Sequence, residues 1–453
     1  IYAPTIRYHD GIFYVISTNV TYGSKDEGNF IVWTDDPYGE WSDPVFIDLP
    51  GIDSSLFFDD DGKVYYTGAF DNGMSELEFS YKYDENGKVV DISCKTVSEK
   101  KFIWYGTGGN DPEGPHLYKI NGWYYLLISE GGTEFCHMIT VARSRNIWGE
   151  YESCPRNPVF SNRSTSLPIK GTGHMDIVCD QYGDWWGVCL ANRPITYPFK
   201  HNLGRETFLV PVEWDDKDWP VIGRNGLLDE RISSDRKLHE GVMQKSQTDE
   251  GKHFHDEFDG DALKKDWNFI YNTTSKYAAL DKTKGLLLYG TKEPIISSGE
   301  IAWVGYRQKH HEFMAETHID FANMEDGSEA GFTIYMNNKH HYELFTSVLD
   351  GERWLMFRRR IGSLISEDRI SILADDSIYM RLEALKGENG ENIYCFSYKE
   401  NGEWLEAGEG EADYLTTEVG GRFTGNYIAL YASGDGKDCR NAVRFDMFDY
   451  IGV

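Results

Sequence analysis

Basic residues are scarce: 45 Lys and Arg stand against 74 Asp and Glu, a net charge of −29 over 453 residues. Such an acidic surface repels phosphate backbones and anionic headgroups, so neither nucleic acid nor a membrane is an expected partner. Cysteine is sparse as well, with seven residues at 94, 136, 154, 179, 189, 395 and 439 and no C-x-x-C spacing. An odd, scattered set excludes a disulfide scaffold and a cysteine zinc site, and reads as reduced thiols in a cytoplasmic protein. No apolar run approaches the ~18 residues that a membrane helix takes, and helical 3.6-residue periodicity is almost missing. The chain opens at Ile1 without a methionine or a basic-apolar leader, so processing or truncation is expected to have removed the true start. What is abundant is aromatic: 13 Trp, 29 Tyr and 24 Phe suit a β-rich core and equally suit sugar-stacking surfaces.

The first half contains an internal repeat. Residues 2–20 (YAPTIRYHDGIFYVISTNV), 53–70 (DSSLFFDDDGKVYYTGAF), 113–132 (EGPHLYKINGWYYLLISEGG) and 174–193 (HMDIVCDQYGDWWGVCLANR) each read as a short strand, a turn carrying glycine and an aromatic-rich strand. The turn glycines Gly11, Gly62, Gly122 and Gly183 are spaced by 51, 60 and 61 residues, which suits propeller blades of four short strands. Nine residues before each turn glycine stand Tyr2, Asp53, Glu113 and His174. Innermost strands of a propeller line its axial channel, so residues at one repeat position converge in space. Asp, Glu and His at equivalent positions therefore predict an active site, although any one alone would read as a solvated strand end.

The charged, weakly periodic stretch 226–254 reads as a linker, which divides the chain into a propeller over 1–225 and a second domain over 255–453. Strand-like segments with turn signals every 8–15 residues, such as 313–321 (FMAETHIDF), 330–336 (AGFTIYM) and 426–432 (NYIALYA), predict a two-sheet β-sandwich there.

The segments 1–11 (IYAPTIRYHDG), 53–62 (DSSLFFDDDG), 113–118 (EGPHLY), 130–133 (EGGT), 173–178 (GHMDIV), 203–208 (LGRETF) and 420–425 (GGRFTG) together resemble glycoside hydrolase family 43. The likeness is to its β-xylosidase and α-L-arabinofuranosidase branch, in which a five-bladed propeller precedes a concanavalin-like sandwich. The resemblance implies an inverting exo-hydrolase of terminal β-D-xylosyl or α-L-arabinofuranosyl units in plant hemicellulose oligosaccharides. Glu113 matches its general acid and Asp53 the carboxylate that raises the acid's pKa and orients it. Arg205, His174, Tyr2, Phe70, Thr133 and Phe423 match positions around the sugar. His174 also approaches, through water, a structural Ca²⁺ on the propeller axis, and no cofactor is needed for the chemistry. The family's general base is an Asp in a His-x-Asp-Pro-Ser-like motif that precedes the Tyr-Ala-Pro segment. The expectation is therefore that most of the first blade lies outside this sequence and that hydrolysis is impaired in the chain as it stands. Asp10 is no substitute, because it falls in a hairpin turn. Expected partners are xylo- or arabino-oligosaccharides, and a homo-oligomer is allowed.

A carbohydrate-binding propeller without activity is the alternative, since an absent base would leave a sugar site without turnover. WD and kelch repeats are missing, as are the Arg-Asp-Pro and Glu-Cys motifs of fructan-cleaving hydrolases.

Overall fold

The computed structural model describes residues 1–453 except 22, 24–25, 70–71, 196, 233–251, 271–273, 284, 388–390 and 422. Its contacts divide it into two units, Ile1–Asn192 with Glu206–Lys237, and Arg193–Arg205 with Leu238–Val453.

The first unit is built from four antiparallel sheets. They are β1 (Tyr2–His9), β2 (Ile12–Asn19), β3 (Gly28–Thr34) and β4 (Val45–Ile47); β5 (Ser55–Phe58), β6 (Val64–Gly68), β7 (Gly73–Tyr83) and β8 (Val89–Thr96), with β9 (Lys101–Phe102) added beside β7; β10 (Glu113–Ile120), β11 (Trp123–Glu130), β12 (Met138–Ser144) and β13 (Glu152–Ser153); and β14 (Lys170–Cys179), β15 (Trp185–Asn192), β16 (Glu206–Trp214) and β17 (Pro220–Ile222). Each repeated segment of the sequence opens one of these sheets, so four propeller-like blades are present among the described residues. Turn chemistry explains the hairpins. Asp10 and Gly11 (φ 47° and 84°) and Asn121 and Gly122 (φ 51° and 74°) are left-handed at both central positions, as tight two-residue turns between twisted strands require.

Among the described residues no backbone ladder joins one blade to the next. The blades are held by aromatic and aliphatic layers, such as Ile16, Tyr14, Leu56 and Tyr66 between the first two, and Ile139, Phe160, Met175 and Val210 between the last two.

The second unit is a sandwich of an eight-stranded and a seven-stranded antiparallel sheet. Period-two patterning drives it: Phe313–Asp320 alternates buried and half-buried residues throughout, and its inward side chains meet Phe332, Leu344, Phe357 and Phe396 from other strands. Two boundaries differ from the sequence expectation. Residues 193–205, read as propeller, belong by their contacts to the sandwich: Asn202 donates to Tyr394 Oη at 2.8 Å, and Arg307 donates to the carbonyls of Leu203 and Arg205 at 2.6 and 2.7 Å. The expected linker is structured at both described ends. Asn162 exchanges hydrogen bonds with the buried Leu228, and His253–Asp256 is a strand paired with Ala442–Gly452.

Candidate active site

The inner strands share one irregularity. In β1 between Tyr2 and Thr5, in β10 between Glu113 and His116, and in β14 between Gly173 and Asp176, two residues face one on the partner strand. Such bulges re-aim side chains and are common beside active sites. Left-handed backbone accompanies them at Gly114 (φ 57°) and His174 (φ 47°), and Asp53, just before β5, is also left-handed (φ 52°). Asp and His in this region cost of order 1–2 kcal/mol each, so the surrounding structure must hold them there.

The result is convergence. Ligand atoms of Asp53, Glu113 and His174 all lie within 4.8 Å of one another. Gly114 makes this packing feasible, because a Cβ there would sit 3.2 Å from His174 Nε2 as well as on a left-handed residue. The His174 backbone N–H donates to Ser129 Oγ at 2.6 Å, tying β14 to β11.

A second histidine completes the group. His137 is fully buried, with Nε2 3.2 Å from Glu113 Oε1, while His174 Nδ1 is 3.5 Å from the same oxygen. Its ring occupies the space that a side chain at Gly173 would fill, since a Cβ would come within 2.3 Å. His137 Nδ1 lies 3.2 Å from the Gly171 carbonyl, which can only accept, so this nitrogen carries the hydrogen. Nε2 and Glu113 Oε1 then face each other without a hydrogen-bond partner until a further proton lies between them. Burial alone would push the Glu113 carboxyl up, but the His137 and His174 nitrogens outweigh it and hold the group well below the usual carboxylate range. The upward push expected from Asp53 is therefore not the dominant influence on the substrate-free acid.

Beneath this layer lies a fixed ion pair. Arg7 donates to Asp176 Oδ2 at 2.5 Å, to the Leu56 carbonyl and Ser55 Oγ at 3.2 Å each, and lies 3.2 Å from His116 Nδ1. Tyr118 Oη donates to Asp176 at 2.5 Å. Burial opposes ionisation of Asp176, yet the His116 ring, the Arg7 charge and the bonds from Arg7 and Tyr118 hold its carboxyl down to about 2. Burial also pushes the His116 imidazole down to about 4, with Arg7 adding to the effect, so it is neutral at pH 7. Ser55, His116 and Asp176 follow Asp53, Glu113 and His174 by two or three residues, so one arginine fixes the strands that carry all three.

The other expected site residues are placed less centrally. Tyr2 begins β1 half exposed, its carbonyl accepting from Ser17 Oγ. Thr133 is half-buried in the loop after β11. Phe70 lies outside the described residues. Arg205 and Phe423 belong to the second unit, where the guanidinium sits 4.6 Å over the phenyl ring. For the expected Ca²⁺, Asp53, Glu113 and His174 offer two carboxylates and a nitrogen, short of the six to eight oxygens that the ion takes. These donors do not by themselves make a calcium site, and no step below runs through a metal. Sequence reading missed His137, Arg7, His116 and Asp176. It also missed Glu130, whose buried carboxylate accepts from Thr107 N, Gly109 N and Thr140 Oγ1 and clasps the loop before β10. The signal within reach was the polar residue two or three places past each channel position.

Residues 1–220 match the model of glycosyl hydrolases family 43, and residues 255–451 match that of the β-xylosidase C-terminal concanavalin A-like domain. A non-reducing end α-L-arabinofuranosidase of Bacteroides ovatus is 35% identical over 99% of this chain and 81% of its own length. A xylosidase/arabinosidase of Butyrivibrio fibrisolvens is 37% identical over 99% and 85%. Among solved structures, the Bacteroides ovatus xyloglucan PUL GH43B superposes with a TM-score of 0.82 at 33% identity, over 100% of this chain and 86% of that one. The xylan β-1,4-xylosidase of Bacillus halodurans gives 0.83 at 27%, over 99% and 86%. With residues 1–220 matched to the family and the sandwich matched as well, this chain belongs to glycoside hydrolase family 43 and is a glycosidase.

Proposed function

We propose that the protein is an inverting exo-glycosidase that removes terminal β-D-xylosyl or α-L-arabinofuranosyl units from hemicellulose oligosaccharides. The observation that carries the reading is the convergence of Asp53, Glu113 and His174 on one point of the channel, with His137 behind the acid. Relatives named as arabinofuranosidase and xylosidase/arabinosidase support the choice of sugars.

In this reading Glu113 gives a proton to the departing glycosidic oxygen, with His137 Nε2 3.2 Å behind its Oε1. His174 holds the carboxyl in place from the other side. Asp53 is too close to Glu113 to be the base, because an inverting pair stands about 6.5–9.5 Å apart to admit a water, and the water's proton goes instead to the Asp that the resemblance places in the motif before the Tyr-Ala-Pro segment. Its role is to orient the acid and to resist its ionisation once sugar displaces solvent. Arg205 stacked on the exposed Phe423 is read as a sugar-binding platform.

The short Asp53–Glu113 separation supports one other chemistry, retention with Asp53 as nucleophile, whose carboxyl pairs stand about 5–5.5 Å apart. Proton NMR of the first sugar released from an aryl β-D-xyloside or α-L-arabinofuranoside separates the two, with the inverted anomer expected. Glu113→Ala is expected to lower kcat on natural oligosaccharides by about 10²–10⁴. It should cost aryl substrates with good leaving groups far less, since these depart without a proton. Equal losses on both substrates would remove Glu113 from the acid role.

A further inference from the structure

The second unit carries another close group of metal-ligating side chains, on an outer face that the hydrolytic chemistry does not use. The strand His253–Asp256 pairs with the last strand, Ala442–Gly452, so that His255 stands directly across from Asp449 and His253 across from Ile451. Residues two apart share a face of a strand, so both imidazoles project on the side of the Asp449 carboxylate. His253 Nε2 lies 2.7 Å and His255 Nδ1 3.0 Å from the same Asp449 Oδ1, and the three donor atoms all fall within 4.8 Å of one another. The far nitrogen of His255, Nε2, is 3.5 Å from Glu257 Oε1. A carboxylate on the far nitrogen is the device that orients metal-bound histidines and fixes their tautomer. Both rings are exposed, so a hydrated ion can reach them, and the net charge of −29 draws cations to the surface.

The geometry points to a binding site for a first-row divalent transition-metal ion, with Zn²⁺ the fitting occupant, held by His253 Nε2, His255 Nδ1 and an Asp449 oxygen, with water in the fourth position. Two imidazoles and one carboxylate select such ions over Ca²⁺ and Mg²⁺, which take oxygen shells. Asp449 would turn from bridging two rings to sharing a metal with them, and the ion would staple the short first strand of the sandwich to its last.

The test is calorimetric titration of the intact protein with zinc chloride after its thiols are alkylated, because Cys136 and Cys179 are exposed. One equivalent should bind in the wild type and be lost in the His253→Gln/His255→Gln double variant, with the metal-free circular dichroism unchanged. Asp449→Asn should weaken binding by about tenfold or more. Identical stoichiometry and affinity in wild type and double variant would overturn the assignment, as would the absence of any binding in the wild type. Should the double variant misfold, Cu²⁺ electron paramagnetic resonance on the wild type decides instead. Hyperfine coupling from two imidazole nitrogens is expected here, whereas coupling from one nitrogen, as the channel group with His174 would give, overturns the site.

Discussion

Each unit holds an arginine against acidic partners, one for Arg7 and three for Arg358, and the two arginines differ in what they join. Arg358 works within one sheet: Glu343 and Glu367 stand directly across from it on the two flanking strands, at 2.9 and 2.7 Å, and Glu329 reaches it from one strand further at 2.6 Å. Backbone ladders already fix those strands, so the charges add polar satisfaction to an order that exists without them. Arg7 works between sheets, bonding to β5 and β14 and lying against β10, where no ladder exists among the described residues. In a propeller, side chains near the axis do what hydrogen-bonded strands do inside a sheet. The polar layer around Arg7 ties together the strands next to Asp53, Glu113 and His174, whereas the sandwich cluster lies within one sheet.

The contrast can be broken most severely at Arg358. Arg358→Met leaves the fully buried Glu343 and its neighbour Glu329 without their cation, and is expected to cost about 3–5 kcal/mol. Burial, the larger influence, already pushes both carboxyls up. A carboxyl with a folded pKa above its unfolded value takes up protons on folding, so its penalty grows as pH rises. Urea unfolding should thus show a larger deficit for the variant at pH 8 than at pH 5, and a pH-independent deficit would argue against carboxylate repulsion as the cause.

Asp176→Asn should be milder in stability and more harmful to turnover. Its carboxyl falls from an ordinary 3.8 to about 2 in the folded protein, which corresponds to roughly 2 kcal/mol. Because the folded pKa is depressed, that stability is present in full above about pH 4 and is lost as pH falls towards 2. The stability gap between wild type and variant should therefore close across that interval. A fall in kcat with little change in KM is expected if Arg7 aligns the channel strands, and an unchanged kcat would reduce the layer to a structural role.

Gly114→Ala is expected to cost about 1–2 kcal/mol through its left-handed backbone, with a further loss of kcat as the His174 ring is pushed from Glu113. A loss of stability alone, with kcat intact, would show that His174 is not needed beside the acid. The smallest effect is expected at Arg205→Lys, a rise of a few-fold in KM as the flat stack on Phe423 is lost. A change in kcat without one in KM would contradict the binding role.

Much of the architecture was legible before the structure. Turn glycines and aromatic-rich strands located the hairpins of all four blades, and counting back from each glycine reached Asp53, Glu113 and His174 despite the bulges between. His137 was invisible to it, since it enters from the loop before β12 and has no repeat counterpart. The contacts of residues 193–205 were hidden for a related reason: the segment joins two strands of one blade, and its buried partners Tyr394 and Asn426 lie more than 190 residues away in sequence.

The sequence by itself determined the strands, their turns, the two-sheet sandwich and which channel positions are acidic, because period-two patterning and left-handed turn residues act over a few neighbours. Only the tertiary structure decided that two imidazoles meet Glu113, that its carboxyl is drawn down rather than up, that Arg7 links the neighbouring strands, and that His253 and His255 share one oxygen of Asp449. Those outcomes depend on burial and on distances of three to four ångströms between strands that no local pattern relates.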